Sequence, residues 1–214
     1  MGKWFATFYD MWMGPLERKA FGRIRKKLLV KARGKVLEIG SGTGLNFPHY
    51  RHAVTVTAVE PDPTMVRLSE QRAKNTPVPI QIITAGAEDL PFPDDSFDTV
   101  VGTLVLCTIP DPDKALREIR RVCRPGGRIL FFEHVRVTHP ILGRIQDWLT
   151  PVWKRFCDGC HLNRHTLEQI ERSGLHVIRV ERYFQDIFLV IEAASQKKGP
   201  YNGRTSYEAK GSVE

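Results

Sequence analysis

Residues 36–44 read VLEIGSGTG, an apolar run that stops on glycines spaced two apart. Val36, Leu37 and Ile39 suit a buried strand. Gly40, Gly42 and Gly44 then let the backbone turn tightly and approach a ligand with no Cβ in the way. A glycine loop placed straight after a strand belongs to an open α/β sheet, whose ligands sit beyond the carboxyl ends of the strands. The rest of the chain alternates to match. Strands are expected at Lys35–Ile39, Val54–Val59, Pro79–Thr84, Asp98–Leu106, Arg128–Glu133, Leu175–Glu181 and Ile187–Ala193. Helices are expected at Leu16–Val30, Thr64–Lys74, Asp113–Cys123, near Pro140–Lys154 and at Asn163–Arg172. Such alternation implies a largely parallel sheet covered on both faces.

Loop spacing narrows the ligand. Dinucleotide sites use G-x-G-x-x-G before a helix that takes the pyrophosphate, whereas here Gly44 closes a G-x-G-x-G pattern and Leu45 holds the sixth place. Glu60 ends the second strand in AVEPDP, about 20 residues on, where a carboxylate can accept hydrogen bonds from both ribose hydroxyls. Asp62 is the rival for that role, and a solvated turn is the bland alternative. A third acidic cluster lies in GAEDLPFPDDSFD, residues 86–98.

With SFDTVVGTLVLCTIPDP and RPGGRILFFEH following in order, Lys35 to Glu133 resembles the class I S-adenosylmethionine-dependent methyltransferases, type 11, in the branch with the ubiquinone enzymes. The resemblance implies a Rossmann-like fold with a mainly parallel seven-stranded sheet. It implies S-adenosylmethionine as cofactor, with Asp89 on the adenine amino group and Ala87 and Glu88 beside it. The expected cofactor set is Tyr9, Glu38, Gly40, Ser41, Gly42, Gly44, Glu60, Pro61, Ala87, Glu88, Asp89 and Leu104. Further on, GTLVLCTI, FFEHVR, PVWKRFCDGCHLNRHTLEQIERSG and VERYF resemble the alkyl-thiol S-methyltransferase family. The hydrophobic N-terminal anchor of that family finds no counterpart in MGKWFATFYDMWMG, so embedding in a membrane is not expected. FYDMWMGPLERKAF instead resembles the start of bacterial phospholipid and quinone methyltransferases, where a Tyr-Asp pair, here Tyr9-Asp10, begins a lid over the cofactor.

These readings divide the chain into a helical lid (1–33), a methyltransferase domain (34–194) and a polar, aperiodic tail (195–214) expected to be disordered. The chain's 214 residues suit one such domain. Its N-terminal apolar run is broken by Lys3, Asp10 and Gly14-Pro15, too short to span a bilayer and without a signal-peptide core. With only four cysteines, a cytoplasmic location is expected. Net charge is +8, crowded between Arg18 and Lys35 beside Trp4, Phe5, Phe8, Tyr9 and Trp12. That pattern suits either a peripheral contact with an anionic membrane surface or a helix capping the core.

The methyl acceptor is expected to be a small or lipid-like molecule, with a thiol ahead of a phospholipid or quinone. Nucleic acid is the rival partner on charge, but Thr108-Ile109-Pro110 lacks the Asn/Asp-Pro-Pro motif of base methylation. A non-catalytic cofactor sensor is the other rival, and nothing in the motifs looks degraded. Cys107 and Thr108 close the fourth strand where the transferable methyl should lie, against ordinary core as the alternative. Trp153, Cys160 and His161 are the further substrate-side candidates. His134 and Asp158 are candidate bases should the acceptor need one. Cys157-Asp158-Gly159-Cys160-His161 spells the c-type haem pattern, but that reading lacks export signals. A zinc site would need further paired ligands, so no metal is expected and the motif reads as incidental.

Overall fold

The computed structural model describes residues 20–157 and 159–196. Strands β1 (Gly34–Ile39), β2 (Ala53–Val59), β3 (Ile80–Ile83), β4 (Phe97–Thr103), β5 (Cys123–His134), β6 (Leu175–Tyr183) and β7 (Phe188–Ser195) form one seven-stranded sheet in the order β3-β2-β1-β4-β5-β7-β6. β7 alone runs antiparallel to its neighbours. The fold expected from the glycine loop and the alternation is the one observed.

The α-helices among the described residues are α1 (Gly22–Leu29), α2 (Pro63–Ala73), α3 (Pro112–Val122), α4 (Pro140–Phe156) and α5 (Thr166–Arg172). Period-two alternation sends Val36, Val101, Leu130 and Phe132 to one face, where they pack with Phe21, Ile24, Leu28 and Leu29 around α1. Leu37, Ile39, Val100, Ile129 and Phe131 face the other way, onto Ala115, Leu116, Ile119 and Val122 of α3 and Ile170 of α5. Proline opens α2, α3 and α4, where its missing N–H costs nothing. Asp62 caps α2 by accepting from Thr64 N (2.6 Å) and Met65 N (3.1 Å), and Asp111 caps α3 through Lys114 N (2.9 Å).

Of the boundaries that differ from the sequence reading, two have a plain physical cause. β4 ends at Thr103, short of Leu106, because Leu104 turns into the left-handed region at φ 55°. Cys123 opens β5 instead of closing the preceding helix, and pairs with Phe97. A register shift between Phe97 and Thr99, with Gly126 at φ 71°, absorbs the Pro-Gly-Gly segment into the strand.

α4 is attached in an unusual manner. Gly143 and Thr150 are its buried residues. Gln146 donates to Val135 O (3.1 Å) and accepts from Val137 N (2.8 Å), while Asp147 takes Arg136 Nη2 (2.9 Å) and Asn163 Nδ2 (3.0 Å). Polar bonds, more than core packing, hold it to the carboxyl end of β5.

Candidate active site

The site is built where β1, β2, β4 and β5 end. Gly40, Gly42 and Gly44 all take positive φ, at 61°, 54° and 82°. They do so for different reasons. A Cβ on Gly40 would lie 2.2 Å from Val105 Cγ2, and one on Gly44 would lie 2.7 Å from the Phe47 ring, whereas Gly42 faces open space. Gly42 thus leaves room above the loop for a ligand, and Gly40 seats the loop against the turn after β4. Ser41 N donates to Val59 O (3.1 Å) and Gly42 N to Glu60 Oε2 (2.9 Å), tying the loop to the end of β2. Glu60 Oε1 accepts from Asp62 N (3.0 Å). Ser41 Oγ is buried without a hydrogen-bond partner among the described residues. An open glycine cradle, a buried hydroxyl and a fixed carboxylate fit a nucleoside with a charged amino-acid tail.

Beneath the loop lies a network that the sequence did not reveal. Glu38 is fully buried and accepts from Asn46 Nδ2 (3.0 Å) and Tyr50 OH (2.7 Å). Arg25 of α1 donates to Asn46 Oδ1 (2.8 Å) and Thr103 Oγ1 (2.5 Å), clamping the helix across β1 and β4. Burial pushes the Glu38 carboxyl up to about 7, against the pull of Tyr50, Asn46 and Arg25. Both Glu38 oxygens are engaged by side chains, so its place is the floor of the cofactor site. Pro61 and Asp89 are exposed, Glu88 is half-buried and Ala87 is buried. Glu88 Oε1 accepts weakly from Asp111 N (3.5 Å). Tyr9 and Asp158 lie outside the described residues.

On the other side of Val105, the substrate-side candidates converge. His161 N donates to Cys107 O (2.9 Å), and a Cβ on Gly159 would sit 3.8 Å from Thr108 O. The thiols of Cys107 and Cys160 face one another, and the Trp153 side chain lies beside Cys160. Arg164 donates Nη1 to the carbonyls of Leu106 and of Ile109 (2.8 Å for the latter), bracing the turn. Hydrogen bonding from Cys107, then Trp153 and the charge of Arg164, lower the Cys160 thiol, while the Cys107 thiol is driven well up. Behind them sits Glu133, which accepts from Val105 N and Leu106 N (both 3.2 Å). Its other oxygen is buried without a partner among the described residues, and burial raises its carboxyl to about 8.

His134 points to the opposite face of the sheet from Glu133, with its ring against Phe188 (centroids 5.5 Å apart). Burial lowers it to about 4 and its Nδ1 has no partner among the described residues, so the imidazole is neutral near pH 7. It does not join the Cys107–Cys160 cluster. Glu133 and Arg164 went unnoticed in the sequence. A carboxylate inside FFEH, an otherwise buried run, was the available sign. Arg164 carried none.

A family model described as a methyltransferase domain matches residues 37–131. A seven-stranded sheet of this order with a glycine cradle and an acid-ended β2 is the frame of that class, and the chain belongs to the class I S-adenosylmethionine-dependent methyltransferases. It uses S-adenosylmethionine. Among its relatives, the human thiol S-methyltransferase TMT1B is 39% identical over 172 residues, covering 78% of this chain and 70% of that one. A phosphatidylethanolamine N-methyltransferase of Cereibacter sphaeroides is 35% identical over 131 residues, 60% of this chain and 64% of that one. A Thermotoga maritima methyltransferase of solved structure, a possible histamine N-methyltransferase, shares the fold at TM-score 0.67 and 21% identity, covering 91% and 97%.

Proposed function

We propose that this methyltransferase acts on the sulfur of a small lipophilic thiol, bound between the turn after β4 and residues 159–164. The observation that carries the reading is the environment of Cys160: a thiol placed there is already biased toward thiolate by Cys107, Trp153 and Arg164. An acceptor thiol entering the same field is favoured as the nucleophilic anion, from an ordinary value near 8.5. The bound cofactor supplies a methyl group on a positively charged sulfur, an activated leaving group. The protein's remaining task is alignment. Gly40 and Val105 set the glycine loop against the acceptor wall, so the two halves of the site meet at one contact. The acceptor thiol would lose its proton to water and take the methyl group on its sulfur, with adenosylhomocysteine as the other product. No base is required, which agrees with a neutral His134 away from the cluster. Likeness to the human thiol enzyme supports this choice.

Around the Glu60–Gly42 cradle we assign the cofactor set given above, with Asp89 toward the adenine. We take the part of residues 1–33 that precedes α1 as cover for that cofactor, with Tyr9 over it, and the exposed cations of the basic stretch from Arg18 to Lys35, among them Arg23, Lys26 and Arg33, as a contact for an anionic membrane surface. Among the described residues no helix is long and apolar enough to cross a membrane.

A panel of thiols, quinols and aminophospholipids with labelled cofactor tests the reading. Methyl thioether is the expected product, and methylation confined to quinols or aminophospholipids would overturn it. Arg164→Gln should move the rising limb of kcat against pH to higher pH, because the acceptor thiolate loses a cation. A limb that stays in place removes the field from the mechanism.

A further inference from the structure

α4 turns its apolar side outward. Ile141, Ile145, Trp148, Leu149, Val152 and Phe156 fall within an arc of about 100° on the helix, and Trp148 keeps 78% and Phe156 71% of their surface exposed. A helix of a globular protein normally buries that stripe. Here the inward side carries Gly143, Thr150, Gln146 and Asp147, and the polar bonds described above replace packing. So many large apolar groups on one face exceed what a free surface carries without purpose.

Charge selects the occupant. Arg144 and Arg155 flank the arc beside Trp148, whereas the helix's single acidic residue, Asp147, lies on the far side and is paired with Arg136. An apolar stripe rimmed by cations and free of carboxylates suits the headgroup boundary of an anionic bilayer. A second copy of the chain would meet that rim with the same arginines and no acid to pair them. The helix is about 25 Å long, enough to lie flat in the interface. It also adjoins the acceptor cluster, since its end runs on through Cys157, whose N–H donates to Trp153 O (2.8 Å) and whose carbonyl accepts from Cys160 N (2.9 Å).

We infer that the outward face of α4 is a docking surface for an anionic lipid bilayer, holding the acceptor cluster open toward the membrane. The inference is independent of the acceptor's identity and of the N-terminal contact proposed above. In the full chain, replacing Trp4, Trp12 and Trp153 by Phe leaves Trp148 as the reporter. On vesicles of phosphatidylcholine with phosphatidylglycerol, its emission should shift to the blue and be quenched by lipids brominated on their acyl chains. Arg144→Gln with Arg155→Gln should weaken partitioning by on the order of tenfold at low salt. In the otherwise native chain, Trp148→Ser with Val152→Ser should weaken vesicle co-sedimentation while adenosylhomocysteine still binds, which shows that the fold persists. Unchanged Trp148 emission while the protein sediments with vesicles would assign the contact to the N-terminal segment and overturn the inference. A lipid-independent shift that grows with protein concentration would assign the face to a second copy, and also overturn it. Neither readout depends on methyl transfer, so failure of the thiol assay and failure of this inference are separable.

Discussion

Glu60 and Asp89 occupy opposite extremes of exposure within one expected cofactor site, and that contrast separates binding from stability. Glu60 is buried and holds the N–H groups of Gly42 and Asp62, while Asp89 is exposed on its turn. Alanine at either position should weaken adenosylhomocysteine binding by about 1–3 kcal/mol in calorimetry, the cost of an unmatched polar partner. Only Glu60→Ala should also lower the melting temperature. Equal binding by wild type and Asp89→Ala would remove Asp89 from the site. Glu60 is legible because its distance from the glycines is set by one short turn and the strand that follows it. The acceptor cluster was legible only in parts. Cys107 is a candidate as the end of a strand and Cys160 as part of a stretch that resembles the thiol enzymes, but their contact joins segments about 50 residues apart, and no local pattern reports it. The clamp of Arg25 on Thr103, 78 residues away, was hidden for the same reason.

At the scale of elements, the loop after β1 makes the sharpest prediction. Gly40→Ala combines a left-handed backbone, about 1–2 kcal/mol for an L side chain, with a collision against Val105. Gly42→Ala carries the backbone cost but meets open space. Gly40→Ala should therefore reduce stability by clearly more than Gly42→Ala in urea titration. Gly42→Ala should lose cofactor affinity out of proportion to its small stability change, since its methyl fills the ligand's approach. Similar stability losses in both variants would contradict this division. Helix starts were readable from Asp62-Pro63 and Asp111-Pro112, where cap and first turn are adjacent in the chain. The end of β4 was not. Leu104 is a strand-forming residue forced to φ 55° by a tertiary context in which its N–H donates to Phe132 O (2.6 Å) and Glu133 holds the next two amides.

For the whole molecule, buried ionisable groups set the dependence of stability on pH. Glu133 and Glu38 are raised to about 8 and about 7 from 4.5, so the folded protein binds the extra protons. Their contribution is full below pH 4.5 and is lost as pH rises through those values. His134 is lowered to about 4 from 6.5, so its contribution is present above 6.5 and lost as pH falls toward 4. Above pH 6.5 only the carboxylates of this trio act. Unfolding free energy should fall by about 2 kcal/mol between pH 6.5 and 8.5, and Glu133→Gln should flatten most of that slope in urea titrations at the two values. A flat wild-type profile would mean that Glu133 is not buried as a proton-holding acid. A further expectation covers the chain's first segment: deleting residues 1–14 should weaken adenosylhomocysteine binding if they help cover the cofactor, and equal affinity would remove them from that role.

The polar fastening of α4 also bears on how such an enzyme changes over generations. Most of the core lies in the sheet, α1 and α3, while α4 is held through Gln146, Asp147 and a glycine pressed against Arg136. Selection can therefore exchange the remaining exposed positions of α4 with little harm to folding. A combinatorial library over residues 148–156, with the buried Thr150 kept, should yield mostly folded proteins that differ in which acceptors they accept. The same diversity introduced into α3, whose Leu116 and Ile119 are fully buried, should yield mostly unfolded ones. Variation in acceptor range is thus expected to gather in a part of the molecule that foldability constrains least.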